Sequence, residues 1–197
     1  MQHFDKQLSL KVLNDLTSIL NRYSIKYWLQ DGTLLGYYRE RDLISHDNDT
    51  DVGLFWKDIQ DRQVFKDIIS TGFNLFKIKG YMHNSLMLTF IKEKQKVDLF
   101  FYYENNDETI YHTALGKHWE IVKYNYSFFD LKEIVFKEYK FFVPKNEKIF
   151  LETKYGNDWN IPKIKWDNIN GPQNAERTGT FVDINRCRKE FRTWLKK

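Results

Sequence analysis

The 197-residue sequence has one cysteine, Cys187, and no long apolar run. A single cysteine excludes an internal disulfide and suits a reducing compartment. No segment approaches the roughly 20 consecutive apolar residues that a membrane-spanning helix needs. Charged residues interrupt the first positions of the sequence, which therefore lack the apolar core of a signal peptide. We expect a cytoplasmic protein.

The sequence also lacks a strong charge of either sign. Its formal net charge is +4, from 31 Lys and Arg residues against 27 Asp and Glu residues. This excess is compatible with an anionic substrate, but it is far below the concentrated basic charge of a dedicated DNA-binding protein. The aromatic fraction of 17% accompanies many Lys, Asn and Ile residues, as in AT-rich coding sequence, and is not evidence of base stacking. We expect no specific nucleic-acid partner.

Hydrophobic periodicity predicts an α+β domain. Leu8, Val12, Leu16 and Ile19 recur at helical spacing and predict an amphipathic first helix. Residues 104–148 are strand-like without clear boundaries, and residues 157–180 are predicted to form a long surface loop. The predicted helices are 5–22, 34–40, 59–70, 149–155 and 183–197, and the predicted strands are 25–30, 51–56, 73–78, 85–91 and 96–103.

An acidic segment runs directly into a predicted strand and contains Asp47, Asp49 and Asp51. If the strand already begins at Asp49, the period of two places Asp49 and Asp51 on one face. Two carboxylates about 4 Å apart repel by roughly 1 kcal/mol in water and by several in a drier site. A divalent cation removes this repulsion, and hard oxygen ligands favour Mg²⁺ or Mn²⁺. A solvated acidic loop is the alternative. A calcium loop of the EF-hand type fails, because Val52 and Asp58 occupy the positions of its Gly and Glu.

Two further features strengthen the prediction of a catalytic site. Asp98 lies inside the apolar run 97–101, where it is either a hydrogen-bonded structural residue or a third carboxylate of the metal site. Gly32 and Thr33 form a turn before a predicted helix, and a helix amino terminus favours a phosphate group. Asp31, just before this turn, is explained equally well by an Asx turn or a helix cap.

Three segments together resemble the LicD family of fukutin-like phosphotransferases, which belongs to the polymerase-β-type nucleotidyltransferase superfamily. They are Gly-Thr-Leu-Leu-Gly at 32–36 with Arg39, the acidic run 47–52, and Leu-x-x-x-Tyr-Gly-x-x-Trp at 151–159. The sequence departs from the family pattern at Ser45 and His46, where Pro-Trp is usual, and at Asn48, where Asp is usual. The resemblance implies a mixed sheet flanked by helices, with a catalytic domain at 1–162 and a C-terminal linker and basic helix at 163–197.

The resemblance implies transfer of a phosphoalcohol, such as phosphocholine or a polyol phosphate, from a CDP-activated donor to a sugar hydroxyl of a surface polysaccharide or other glycan. In this interpretation Asp49 and Asp51 hold Mg²⁺ or Mn²⁺. Asp98 completes the metal site or accepts the hydroxyl proton. Donor phosphate contacts are expected from Gly32, Thr33 and Arg39, and contacts beside the metal or on the acceptor side from His46, Asp47 and Asp31.

Two alternatives remain open. The same aspartates would serve a nucleotidyltransferase that transfers a nucleoside monophosphate from an NTP to a small molecule, a protein or an RNA. A non-catalytic module that binds nucleic acid or a membrane surface could use the C-terminal helix, whose apolar residues Phe191, Trp194 and Leu195 would face either lipid or the domain. Peripheral membrane contact is therefore a hypothesis for the basic residues of this helix, which are Arg186, Arg188, Lys189, Arg192, Lys196 and Lys197.

Overall fold

The computed structural model describes residues 4–163 and 165–197, which form an α+β fold with a mixed sheet flanked by helices. This confirms the predicted fold class. The helices are α1 (Lys6–Arg22), α2 (Asp31–Glu40), α3 (Gln63–Ser70), α4 (Glu147–Tyr155) and α5 (Ile184–Lys196). The strands are β1 (Tyr27–Leu29), β2 (Thr50–Phe55), β3 (Asn74–Lys79), β4 (Met87–Lys92), β5 (Gln95–Glu104), β6 (Thr109–Leu115), β7 (Glu120–Ser127), β8 (Leu131–Phe136), β9 (Tyr139–Pro144) and β10 (Ala175–Phe181).

Strand β5 is the centre of the main sheet. It pairs with β2 in parallel and with β4 and β6 in antiparallel orientation. The path of neighbouring strands runs β1-β2-β5-β6-β7-β10, with β3 attached through β4, while β8 and β9 form a separate hairpin. Almost every residue of β5 is buried, because elements cover both of its faces, and this accounts for its continuous apolar sequence.

Helix α1 begins and packs as its sequence predicts. The side chain of Asp5 caps it by accepting a hydrogen bond from the backbone N–H of Leu8 at 3.0 Å. Its apolar stripe, which includes the fully buried Val12, Leu13 and Leu16, lies against the sheet. The remaining surface of the helix carries its charged residues.

Several boundaries differ from the predictions, and three of these differences affect the candidate site or the sheet edge. Helix α2 begins at Asp31, three residues before the predicted start. Strand β2 begins at Thr50, so Asp49 precedes the strand and is not part of it. The predicted loop over 157–180 is wrong where Ala175–Phe181 form β10, which pairs with β7 at the sheet edge.

Helix α5 turns its apolar side toward the domain. Phe191 is fully buried, and its ring packs against Phe65 and Trp194 at centroid distances of 5.7 and 5.6 Å. Of the two orientations expected for the apolar residues of this helix, the structure therefore has the one that faces the domain. Within the described ranges 4–163 and 165–197, no helix combines the length and apolarity needed to cross a bilayer.

Candidate active site

The register of the parallel pair β2–β5 places Asp51 directly beside Asp98. Side chains at paired positions point to the same face of a sheet, and both carboxylates line one cavity of about 500 Å³. Both residues are buried, with exposures of 7% and 9%. The structure therefore brings together two of the three predicted metal ligands, from strands that are 47 residues apart in sequence.

Helix α2 holds Asp51 through Thr33. The Thr33 hydroxyl accepts a hydrogen bond from the Asp51 backbone N–H at 2.8 Å, and the Thr33 backbone N–H donates to Oδ2 of Asp51 at 3.4 Å. The Asp51 carboxylate thus lies at the positive end of the α2 dipole. Thr33 is buried and positions this carboxylate, while its contact with a donor phosphate stays a prediction.

Gly32 leaves room for a third carboxylate. A Cβ atom at this position would collide with the carboxylate of Asp47 and would lie 3.4 Å from Oδ2 of Asp51. Asp49 lines the same cavity, although it lies outside strand β2. Asp47 was expected beside the metal pair, and the structure places it among the clustered carboxylates.

The clustered carboxylates raise one another's proton affinity. Burial, followed by the negative charge of Asp49, raises the pKa of Asp47 to about 7. The same two causes, in the same order, raise the pKa of Asp51 well above its usual range. Burial is also the main cause that raises the pKa of Asp98 to about 6. The nearby Thr89 hydroxyl opposes that shift, although no hydrogen bond joins it to Asp98. The charge of this cluster is therefore not balanced by the carboxylates' immediate neighbours.

The oxygen atoms of these carboxylates are ligands of the type that a hard divalent cation prefers. Oδ1 of Asp98 is buried and accepts no hydrogen bond from the described residues, so it has an unused lone pair. Within residues 4–163 and 165–197, however, no three His, Cys, Asp or Glu side chains are arranged so that they could hold a metal ion. Mg²⁺ does not require such a cage, because it commonly uses one or two carboxylates together with water and substrate phosphates. The carboxylates present fit that manner of binding.

Cationic side chains lie around the same cavity, and sequence reasoning identified only one of them. Lys77 and Lys79 reach it from β3, where their spacing of two residues places them on one face. Burial, followed by the positive charge of Lys77, lowers the pKa of Lys79. This alternation was visible in the sequence, but only the fold shows that it faces the aspartates. Lys154 and Lys163 also line the cavity, and the sequence did not identify them as part of the site.

Arg39, the cation that was predicted, is held in place by its neighbours. It donates to Oε1 of Glu40 at 2.6 Å and to the backbone oxygen of Trp159 at 3.5 Å. The Trp159 ring also packs against Tyr38 at a centroid distance of 5.3 Å. Arg39 lines the cavity, and its contact with a donor phosphate stays a prediction. His46 is exposed at the cavity wall.

Asp31 forms a buried ion pair that the sequence did not predict. Its Oδ1 lies 2.5 Å from Nζ of Lys154 on α4, and the two side chains are only 13% and 5% exposed. The same oxygen accepts a hydrogen bond from Nε2 of Gln30 at 3.0 Å. Asp31 also has a φ of +43° at the start of α2, a region that non-glycine residues rarely adopt. The ion pair connects α2 to α4 at the cavity wall.

Gln30 links this ion pair to the buried aromatic core. Its Oε1 accepts hydrogen bonds from Trp28 Nε1 and from the Tyr102 hydroxyl, each at 3.0 Å. Its Nε2 lies 3.3 Å from Nε2 of His112. Burial lowers the pKa of His112 to about 3, so this imidazole is neutral, and its Nε2 can accept a hydrogen bond from Nε2 of Gln30. His112 carries no motif in the sequence, and only strand pairing brings it to the cavity.

The rest of the cavity wall is aromatic and apolar. Tyr155 packs against Trp166 at a centroid distance of 5.0 Å, and Nζ of Lys163 lies 5.3 Å from the centroid of the Trp166 ring. Tyr124 and Ile169 line the same wall. One cavity therefore combines clustered carboxylates, several cations and flat apolar surfaces.

Comparison with known proteins gives the same region a family context. The sequence profile described as LicD/FKTN/FKRP, nucleotidyltransferase domain, matches residues 24–146. The chain is 32% identical over 165 residues to the Homo sapiens protein "Ribitol-5-phosphate transferase FKTN", a match that covers 82% of this chain and 35% of the human protein. It is 24% identical over 155 residues to the Mus musculus "Ribitol 5-phosphate transferase FKRP", covering 72% of this chain and 30% of that protein.

The chain thus spans about a third of the length of these transferases. Among solved structures, the lincomycin-bound lincosamide antibiotic adenylyltransferase LnuA matches with a TM-score of 0.43 and 19% sequence identity. That match covers 72% of this chain and 83% of LnuA.

Proposed function

The chain belongs to the LicD/FKTN/FKRP family, and from this premise we propose that it transfers a phosphoalcohol from a CDP-activated donor to a sugar hydroxyl of a glycan, such as a surface polysaccharide. The observation that carries the proposal is the pairing of Asp51 with Asp98 in a cavity that also holds Asp47 and Asp49. The ribitol-phosphate transferases named among the relatives support a polyol phosphate as the transferred group.

Asp49 and Asp51 would hold Mg²⁺ or Mn²⁺, with Asp98 beside them. When bound, such an ion would offset the negative charge of the donor's pyrophosphate. The chain's own contribution is to hold Asp51 in one position, through the two hydrogen bonds between Thr33 and Asp51. Lys77, Lys79 and Arg39 would add positive charge around the phosphates.

We assign to Asp98 the role of the general base that accepts the proton of the acceptor hydroxyl. In the transfer, the acceptor oxygen forms a bond to the phosphorus that carries the alcohol. The bond from that phosphorus to the bridging oxygen breaks, CMP leaves, and the hydroxyl proton passes to Asp98. Burial raises the pKa of this carboxyl to about 6 in the metal-free protein, which makes it a stronger base than an ordinary carboxylate.

The aromatic wall would accommodate the flat part of the donor. Tyr155 and Trp166 present ring surfaces beside the cationic side of the cavity. Aromatic rings bind bases by stacking, with little dependence on sequence. The cytosine ring is the part of the donor that these surfaces suit.

The donor class can be tested by comparing two products. Purified protein is incubated with Mg²⁺ or Mn²⁺ and an oligosaccharide mixture, together with either CDP-ribitol, CDP-glycerol and CDP-choline or the four NTPs. We expect CMP from a CDP-alcohol and no pyrophosphate from NTPs. Pyrophosphate release alone would support the alternative, a nucleotidyltransferase that passes a nucleoside monophosphate to a small molecule, protein or RNA.

Variants connect turnover to the cavity. Asp51→Asn keeps an oxygen that can accept from Thr33 but removes the charge, and we expect it to lose CMP release. Asp130→Asn is the matched control, because its side chain is 82% exposed and lies outside the cavity. Equal CMP release by both variants would contradict the proposed site.

A further inference from the structure

Strand β3 separates the candidate active site from a second groove. Its residues Lys77 and Lys79 line the active-site cavity, whereas Phe76 and Ile78 line a groove of about 570 Å³ beside α5. Alternate residues of a strand point to opposite faces, so one strand contributes to both. The groove is a distinct concavity, and the proposed transfer reaction uses none of its residues.

The α5 side of this groove is strongly cationic. Arg188, Lys189, Arg192 and Lys196 recur at spacings that place them along one side of the helix. They extend over about 12 Å at 1.5 Å per residue. Among the residues that the structure describes, the uncharged polar side chains lining the groove are those of Asn185 and Thr193.

These four cations have no acidic counterpart nearby. Among the described residues, no acidic side chain lines the groove and no ion pair includes any of the four. The one acidic residue of α5, Glu190, pairs with Arg186 at 2.8 Å. Four uncompensated positive charges facing one concavity make it electrostatically complementary to an anionic partner.

An exposed aromatic ring lies at the same groove. Phe76 is 56% exposed, and the register between β3 and β4 shifts between Leu75 and Lys77, so Phe76 is the extra residue of a β-bulge. Bulges change the direction of a side chain at a sheet edge. A soluble polyanion would not need this ring, whereas a lipid surface offers an apolar layer directly beneath its anionic headgroups.

We propose that this groove docks the protein onto an anionic lipid surface, with the four α5 cations on the headgroups and Phe76 in the apolar layer. Helix α5 does not insert, because its apolar side is packed in the domain around the fully buried Phe191. Docking is therefore mainly electrostatic and weakens with salt. Strand β3 then contributes residues both to the docked surface and to the active-site cavity.

Vesicle sedimentation tests the proposal with the full chain. The probes are phosphatidylcholine vesicles and the same vesicles with about one third phosphatidylglycerol, at low salt. We expect binding only to the anionic vesicles. The variant Arg192→Gln with Lys196→Gln should lower the partition coefficient about 25-fold, from about fivefold for each cation removed.

A charge-matched control separates the groove from net charge. Lys140→Gln with Lys145→Gln removes the same charge from exposed side chains at and next to β9, and we expect binding close to that of the wild type. Equal losses in both double variants, or no wild-type binding to anionic vesicles, would overturn the proposal. Thermal melting by circular dichroism checks that each variant is folded.

Two further measurements test the choice of occupant. Phe76→Ala should weaken vesicle binding at unchanged net charge, and unchanged binding would overturn the insertion of this ring. Soluble polyphosphate should displace the protein from anionic vesicles, because docking is mainly electrostatic, and no displacement would contradict the role of the four α5 cations. A groove that binds polyphosphate but not vesicles would replace the lipid surface with a soluble polyanion and contradict docking on lipid.

Discussion

Replacing Lys154 by methionine removes one partner of the buried ion pair with Asp31 while retaining most of the side-chain volume. The two charges are 2.5 Å apart, and their side chains are 5% and 13% exposed. Neither charge can therefore recover full hydration in the folded protein when its partner is lost. The remaining Asp31 carboxylate would keep the hydrogen bond from Gln30 at 3.0 Å but would have no cation paired with it among the described residues.

The expected loss of stability follows from this burial. Removing one partner of a buried ion pair commonly costs about 3–5 kcal/mol, mostly from the charge that stays unpaired. Nζ of Lys154 also lies 5.5 Å from the ring centroids of Tyr124 and Tyr155, contacts worth roughly 0.5–2 kcal/mol. We expect Lys154→Met to lower the free energy of unfolding by about 3 kcal/mol or more.

A double-mutant cycle isolates the ion pair from these other contacts. Urea unfolding is measured for Lys154→Met, Asp31→Asn and the double variant. Once the positive charge is gone, removing the negative charge relieves an unpaired buried ion, so the double variant should lose at least about 1 kcal/mol less than the sum of the single losses. Lys163→Met is the control, because its pair with Asp158 is 39% and 52% exposed and should contribute little.

Additivity within about 0.5 kcal/mol would refute this reasoning, since it would mean that the two charges do not interact in the folded state. A large loss in Lys163→Met would also refute it, because burial would then not be the cause of the Lys154 effect. Circular dichroism of each variant before unfolding confirms that the comparison starts from the folded state.

Three other substitutions test the core and the carboxylates. Gly53→Ala should lower the urea midpoint by the equivalent of about 1–3 kcal/mol, because the added Cβ would overlap the Trp28 indole; an unchanged midpoint would contradict the packing. Gln30→Leu should cost about 2–4 kcal/mol in the same assay, since it leaves Trp28 Nε1 and the Tyr102 hydroxyl without their acceptor, and native stability would refute that network. In metal-free protein, the folded pKa of Asp98 is about 6 against an ordinary value of 3.8, so ionisation opposes folding as the pH rises through this window. Asp98→Asn should then stabilise the metal-free protein by about 1–3 kcal/mol near pH 8 and have little effect near pH 4, as judged by urea unfolding across pH; a gain that grows toward low pH would contradict this sign.

The sequence predicted the elements whose residues alternate or recur regularly. The periodic apolar residues predicted α1, and the apolar run with one aspartate predicted β5. The start of α2 could not be predicted, because Asp31 adopts a positive φ and its side chain pairs with the distant Lys154. The edge strand β10 was missed because its exposed sequence, Ala-Glu-Arg-Thr-Gly-Thr-Phe, lacks an apolar face.

For the candidate site, the sequence likewise predicted the types of residue but not the contacts between distant residues. The types of residue in the acidic segment indicated a cation site, but the pairing of Asp51 with Asp98 depends on strand register. The predicted alternation of Asp49 with Asp51 assumed a strand that begins one residue too early. Lys154 and His112 were missed because local patterns do not reveal which residues meet across the fold.

The most direct test of the central claim is Mn²⁺ binding, measured by titration calorimetry in the presence of CMP. We predict binding by the wild type and by Asp130→Asn, and a loss of affinity of more than about tenfold in Asp49→Asn and Asp51→Asn, because a divalent ion depends on its charged oxygen ligands. Equal Mn²⁺ affinity in all four proteins would show that the carboxylates around Asp51 do not bind the ion, and would contradict the account of the active site.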